Sequence, residues 1–500
     1  MHWLECKNNE SVNLNNIPCL NMTDFRNEII YHCYDNKRII GYFGVKKEEE
    51  NVLIYAILAN DTESKLMISS TLAINNSSYQ SITEVIPSFH IYERELYEEN
   101  GIKPVNHPWL KPVHYGVKRF NKENTMEKYP FFKMAGEEIH EVAVGPVHAG
   151  VIEPGHFRFM CEGEKIHHLE IQLGYQHRNI EELFTLNKNQ FKNQLAESIA
   201  GDTVIGHNLT YSNAIESLAG IQISNKADII RLVALEMERI AIHIGDLGAI
   251  SNDIAYLMGN AVFGATRTLV INTLLEISGS RFGRGLIRIG GVTFDINDEL
   301  KEKIKTMLSK ISKDVDRMVK TMVSSSTVMS RLEKTGTVET QKARIIGLIG
   351  MAARASGVEI DTRIDHPFGY YAKLNIEKEI LTTGDVYARM YIRYLEINQS
   401  IKIINTLLEE LNNYKNETLI IKNKKLLKEN SMVVSIVEGW RGEIIHSVLT
   451  DEKGNISKYK IKDPSFNNWY GLSQAVKNNG ISDFPLCNKS FNLSYCGTDL

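Results

Sequence analysis

A run from Gly145 to Phe159, GPVHAGVIEPGHFRF, sets two histidines and a carboxylate between backbone breakers. His148, Glu153 and His156 are separated by Pro146, Pro154 and glycines at 145, 150 and 155, so no helix fixes their directions and all three are free to converge on one small volume. Imidazoles and a carboxylate gathered in a partly closed site are the groups that move protons near neutral pH. The plainer alternative is a pair of polar turn residues and a solvated Glu. A second concentration of charge lies in RASGVEIDTRIDHPFGYY, residues 354–371, where Arg354, Asp361, Arg363, Asp365 and His366 crowd a turn bounded by Gly357 and Pro367. Such a group either relays protons or locks the loop by ion pairs.

Rigid elements must hold these side chains. From Glu137 to Gln172 the text alternates with period two around the first loop, which predicts a small antiparallel sheet. Beyond Asn179 the period becomes 3.6. The stretch from Ile229 is apolar nearly all round, as a helix at the centre of a bundle must be. Asn297 and Asp385 are predicted N-caps of two further long helices, the first with a single apolar stripe that places it on the outside. Between Phe25 and Phe89 the runs EIIYHCY, RIIGYFGV, NVLIYAILA and KLMISSTLAI read as strands with one or two interleaved helices, and the last sixty residues return to strands around a hairpin turn at Lys453 to Asn455. The expected class is α+β. An extension over 1–24 precedes a small α+β domain over 25–125, and a boundary near 125–140 leads to a domain over 137–500. In that domain a small antiparallel sheet packs on a large bundle of long helices, with a β-containing C-terminal segment.

Composition narrows the function. The 500 residues carry a net charge of −4 with no dense basic block, which argues against nucleic acid as a partner. No export signal and no run of 18 apolar residues is visible, and six cysteines form no CxxC pair, so a reducing, cytoplasmic setting fits. No GxGxxG follows a strand; NAD would have to bind another subunit.

GYQHRNIEELF (174–184), RFGRGLIRIGGV (281–292), the 354–371 turn and the tail DPSFNNWYGLSQAVKNNGISDFPLCNKSFNLSYCGTDL (463–500) resemble, in order and spacing, the related large subunits of group 4 nickel-iron hydrogenases and of respiratory complex I. YERELYEENGIKPVNHPW (92–109) resembles the ERExxDxxGixfxgHPdL signature of the small α+β subunit that accompanies the complex I large subunit. The resemblance implies a fusion of the two.

It also implies what is missing. Hydrogenase large subunits hold nickel with two CxxC pairs, and those positions fall here on Ala200 and Thr203, ahead of His207, and on Ser494 and Gly497, with Cys496 out of register. Neither nickel, iron nor hydrogen chemistry is then expected. Glu153 aligns with the glutamate that shuttles protons beside the nickel, its alternative being to fix the turn. Arg441, in GWRGE, matches the arginine that overhangs the metal, the alternative being a surface ion pair. His148 matches the complex I loop histidine that faces a quinone head group, whereas the tyrosine opposite it falls on Gly201; Tyr175 and Tyr211 are near in sequence as substitutes. His177 and Arg178 are expected to face an iron-sulfur partner with positive charge, and His207 and His243 to be core histidines. The implied protein binds no cofactor of its own, with quinone at a subunit interface left open. It works against an iron-sulfur small subunit, a ferredoxin-like iron-sulfur subunit and antiporter-like membrane subunits, peripheral to the cytoplasmic face of the membrane. Its expected role is to couple electron transfer to ion movement; a quinone-reducing subunit and a non-catalytic scaffold are the alternatives.

Overall fold

The computed structural model describes residues 2–48, 50–148, 152–186, 191–422 and 426–500. Near the N-terminus, β1 (Leu4–Cys6), β2 (Ser11–Asn13) and β3 (Cys19–Leu20) precede helix α1 (Met22–Tyr34). Three long strands rich in β-branched residues, β4 (Arg38–Glu48), β5 (Asn51–Asn60) and β6 (Lys65–Ile74), pair as an antiparallel meander, with β1 antiparallel and β3 parallel to β6. The run EIIYHCY is the interleaved helix of this segment, part of α1. Asn21 caps it by accepting the Asp24 N–H, and Phe25 and Ile29, one turn apart, bury the face it presents to the core. Helix α2 (His90–Asn100) ends on Gly101, whose φ of 72° is the left-handed stop that an L side chain would resist.

The sheet carrying the first loop consists of β7 (Ile139–Val144), β8 (His156–Glu162) and β9 (Lys165–Gln172), with β8 in the middle and both neighbours antiparallel. Long helices follow: α3 (Val204–Ala219), α4 (Asn225–Asp253), α5 (Leu257–Ser278) and α6 (Asp298–Val323). After the short helical turn α7 (Thr362–Asp365) comes α8 (Val386–Glu410). Helix α4 starts at a Ser224 cap and packs between α5 and α8, buried on nearly every side. Helix α6 is capped by Asn297 and buries one stripe, Ile304, Leu308, Ile311, Val315 and Met322. Helix α8 is capped by Asp385, which accepts the Ala388 N–H.

The chain from Ser431 onward closes the molecule. Strands β10 (Ser431–Glu438), β11 (Glu443–Thr450) and β12 (Ile456–Lys462) form a buried antiparallel sheet whose outer partner is β2, with Ser11 opposite Val433. Helices α9 (Pro464–Ala475), α10 (Phe484–Phe491) and α11 (Tyr495–Asp499) carry the tail. No described helix is long and apolar enough to cross a membrane. Gly150 and the middle of the basic stretch 422–428 lie outside the described residues.

Candidate functional site

Strand alternation decides which loop residues meet. Phe157, Phe159 and Cys161 of β8 point into the core, so His156 and Arg158 point the other way. The His148 ring lies on the Phe157 side, 5.5 Å from that ring and 6.2 Å from Tyr495 of the tail helix. Glu153 reaches the same helix, its Oε2 accepting the Cys496 N–H at 3.2 Å. Gly155 permits this approach, since a Cβ there would stand 2.5 Å from the Tyr495 ring. His156 is not part of the group: its ring packs 5.0 Å from Phe131 beneath the Arg158 guanidinium, and burial and Arg158 lower its pKa. The structure thus joins His148 and Glu153 at α11 and separates His156 from them.

The positions that would carry nickel thiolates are engaged otherwise. Ser494 caps α11 by accepting the Gly497 N–H at 2.9 Å. A Cβ on Gly497 would lie 2.8 Å from the Asp463 carboxylate, which instead takes a hydrogen bond from His207 at 3.0 Å. Thr203 Oγ1 accepts from Arg441 Nη1 at 3.2 Å, and the same guanidinium grips Asp202 with two bonds of 2.8 and 2.6 Å. Arg441 is therefore a buried ion-pair partner, not a surface one. Burial, then the Glu153 carboxylate, push the Cys496 thiol up to about 11, which keeps it a thiol at neutral pH. Two committed hydroxyls, a methyl, a glycine and one protonated thiol are the wrong donors for nickel and iron, and no step through such a centre follows.

Quinone chemistry meets a different arrangement. Gly201, at the tyrosine position, faces open space, with nothing within 4 Å of a Cβ built on it. Tyr175 donates its hydroxyl hydrogen bond to Gln172, and Tyr211 packs among Phe184 and Tyr459, so neither faces His148. Tyr495 does. Its hydroxyl and the Nε2 of His148 are both buried without a well-formed hydrogen bond among the described residues. Burial raises the pKa of that hydroxyl to about 12, against the pull of the neighbouring Asn488 side chain. Sequence reasoning missed Tyr495 because no local pattern links the tail helix to the 145–159 loop.

The 354–371 turn is a lock of buried charges. Arg354 bridges Glu396 at 2.7 Å and Glu438 at 2.8 Å, and donates to the Ile360 carbonyl. Arg363 holds Asp361 at 2.7 Å, Gln399 at 2.8 Å and Glu236 at 3.3 Å. Tyr371 and Ser400 donate to Glu236 as well. Asp365 pairs with Lys378 instead of an arginine, and His366 reaches Asp61 of the N-terminal unit at 2.9 Å, which Arg38 also binds. These five residues do not surround one ligand; each is consumed by its own partners. Adjacent to them, His243 hydrogen-bonds Glu396 at 2.9 Å, yet burial outweighs that carboxylate and lowers its pKa to about 4. Asp246, between Arg393 at 3.2 Å and Asn492 at 2.7 Å, is pushed up to about 6 by burial against the pull of Arg393 and Arg441.

His177 and Arg178 also differ from the charged face expected of them. Arg178 spends its guanidinium on the carbonyls of Ser198 and Ile199. His177 bonds the Asp499 carbonyl at 2.7 Å and stacks 5.6 Å from His114; burial and His114 lower its pKa, so its imidazole is neutral. The cation here is His114. Burial opposes its charge, but Glu95 at 2.7 Å and then Glu98 prevail and raise its pKa to about 9. The acidic signature of α2 explains itself in the same place: Glu98 accepts the N–H groups of Val113, His114 and Tyr115, Glu93 those of Ile82 and Thr83, and Arg94 ties the carbonyls of Lys111 and Pro112.

Comparison with known proteins agrees with this architecture. The family described as respiratory-chain NADH dehydrogenase, 49 Kd subunit, matches residues 253–499, and the 30 Kd subunit family matches residues 8–134. An NADH-quinone oxidoreductase subunit from Carboxydothermus hydrogenoformans is 30% identical over 346 residues, which cover 69% of this chain and 93% of that protein. The chain belongs to the complex I 49 Kd subunit family, fused to a domain of the 30 Kd subunit type. Its relatives extend to membrane hydrogenases. Formate hydrogenlyase subunit 5 of Escherichia coli is 26% identical over 489 residues, covering 93% of this chain and 83% of that protein, and the membrane-bound hydrogenase subunit alpha of Pyrococcus furiosus is 28% identical over 373 residues, covering 72% and 87%. A chain in the structure of the membrane-bound sulfane sulfur reductase, an archaeal respiratory membrane complex, superposes with a TM-score of 0.67 at 20% identity, over 74% of this chain and 100% of that one, which establishes a shared fold.

Proposed function

We propose that this chain is the fused large and small α+β subunit of a membrane-associated, complex I-like oxidoreductase complex, in which it handles protons beside a partner's iron-sulfur cluster and couples electron transfer to ion movement without a nickel-iron centre. One observation carries the reading. Glu153 and His148 meet at the tail helix, one hydrogen-bonded to Cys496 and the other with a buried ring nitrogen that has no partner among the described residues, whereas at the four positions that the resemblance gives to thiolates, Ser494 and Thr203 carry hydroxyls already committed elsewhere and Ala200 and Gly497 carry no donor. Electrons enter from an iron-sulfur small subunit and a ferredoxin-like subunit; antiporter-like subunits lie in the membrane below, with this chain peripheral on its cytoplasmic face. The names of the relatives, NADH-quinone oxidoreductase, formate hydrogenlyase and membrane-bound hydrogenase, support a complex of this kind. Metal analysis of the purified complex tests it. Stoichiometric nickel would sink the metal-free reading, and a Glu153→Gln complex with full turnover would leave only a scaffold.

A second reading, quinone reduction, is favoured by the His148 and Tyr495 pair. Under it, His148→Ala and Tyr495→Phe lower turnover with a quinone acceptor to a similar degree and spare artificial acceptors reduced at the clusters. Equal rates with the quinone in wild type and both variants would dismiss it.

A further inference from the structure

A cavity of about 210 Å³ at the seam between α2 and α9 has no part in the site above. One side of it is a closed aromatic box, three rings packed against one another with no gap for a further ring between them. His90 lies 4.7 Å from Trp109 and 4.9 Å from Tyr470, and Trp109 and Tyr470 are 4.8 Å apart. An apolar cavity of ~150 Å³ admits a single benzene ring, so this one has room for one or two fused rings. His90 is 4% exposed and its Nδ1 has no hydrogen-bond partner. Burial and Arg94 hold that imidazole neutral, so the ring presents one donor and one acceptor nitrogen.

The charges around the box are unbalanced. Lys111 is neutralised by Glu170. Arg94 donates only to carbonyl oxygens, with its guanidinium 5.9 Å from the Trp109 ring, and it pairs with no carboxylate among the described residues. The Lys477 ammonium, half-buried at the rim, has neither an ion pair nor a hydrogen bond among the described residues; burial and Lys342 lower its pKa, the state of an ammonium that lacks a counter-charge. Aromatic boxes elsewhere take cations, but two unneutralised cations beside this one exclude that. The opposite sign is required.

We propose that this cavity binds a planar aromatic anion, a one- or two-ring carboxylate or phosphate ester, with its ring stacked on the cavity-facing side of the His90, Trp109 and Tyr470 box and its anionic group at Lys477 and Arg94. The site is distinct from the one at Glu153. Trp469 is in its wall and packs 4.8 Å from Tyr495, so two rings separate an occupant from His148.

The test titrates the full chain, in its purified complex, with 2-naphthoate and with the neutral isostere 2-naphthamide, read by calorimetry. Saturable one-to-one binding of the acid is expected, with the amide about tenfold weaker, the difference of one charge-assisted contact worth ~1.4 kcal/mol. Lys477→Met, at a half-exposed position and with unchanged thermal unfolding as its control, brings the acid down to the amide. Ser473→Trp, which fills the cavity from α9, abolishes both, with unchanged thermal unfolding as the control on its fold. Equal affinity for acid and amide, no saturable binding in the millimolar range, or binding that survives Ser473→Trp would each overturn the proposal.

Discussion

The two polar regions of this protein are built on opposite plans. Around Arg354 and Arg363 nearly every charge is buried and answered, so that Glu236, Glu396, Glu438 and Asp361 each meet an arginine. Around His148 and Tyr495 two buried polar atoms lack a well-formed hydrogen bond. A satisfied network of this sort fixes a loop in one place, whereas an unsatisfied one has room for a proton, a water or a ligand group. Of the two readings that the sequence leaves open for the 354–371 charges, a proton relay or a loop locked by ion pairs, the partners found are those of a lock.

Breaking the first region should cost stability. Arg354→Met leaves Glu396 and Glu438 buried beside each other without their shared cation, and a loss of about 3–5 kcal/mol in unfolding free energy is expected from denaturant titration, as for other broken buried pairs. A value near zero would mean the network is not the lock described. In the second region the expected loss is in rate. Glu153→Gln keeps an acceptor for the Cys496 N–H but removes the titrating group, so turnover of the complex should fall by about 100-fold or more with its melting temperature almost unchanged.

A third measurement sharpens the contrast through pH. His114 has a folded pKa of about 9, above the unfolded value of ~6.5, so the stability it contributes is complete below about 6.5 and disappears as pH rises through about 9. The wild type should lose more melting temperature between pH 7 and 10 than His114→Gln does; parallel curves would contradict the assignment of the cation. The smallest effect is expected at Cys496. With its thiol at about 11, alkylation by iodoacetamide at pH 8 should be slow, and Cys496→Ser should alter stability by about 1 kcal/mol or less, because the new hydroxyl still sits within reach of Ser494.

Much of the scaffold was legible because its signals are local. Asn297 and Asp385 start helices where their side chains cap, and the alternation of β8 already contained the fact that His156 and Phe157 face opposite ways. Of the four runs between Phe25 and Phe89, EIIYHCY is the interleaved helix, marked by the Asn21 cap upstream and the one-turn spacing of Phe25 and Ile29. The family motifs located Glu153, His148 and Arg441. What they could not supply was partnership across the chain. That Arg441 grips Asp202, that His366 meets Asp61, that His114 and not His177 carries the charge, and that Tyr495 stands beside His148 all depend on contacts between segments with no shared sequence pattern.

The short strand β2 has a consequence in time. Ser11 to Asn13 complete the last sheet by pairing with Ser431 to Val433, so this strand leaves the ribosome and waits for a partner that is made more than four hundred residues later. At 5–20 residues per second that delay is about 20–80 s, far longer than the folding of the N-terminal meander requires. During that interval the meander can close while an unpaired strand hangs from it, a natural handle for a chaperone and a natural seed for mispairing. The fused chain is therefore stitched across its two units by a strand that is made well before the partner it needs.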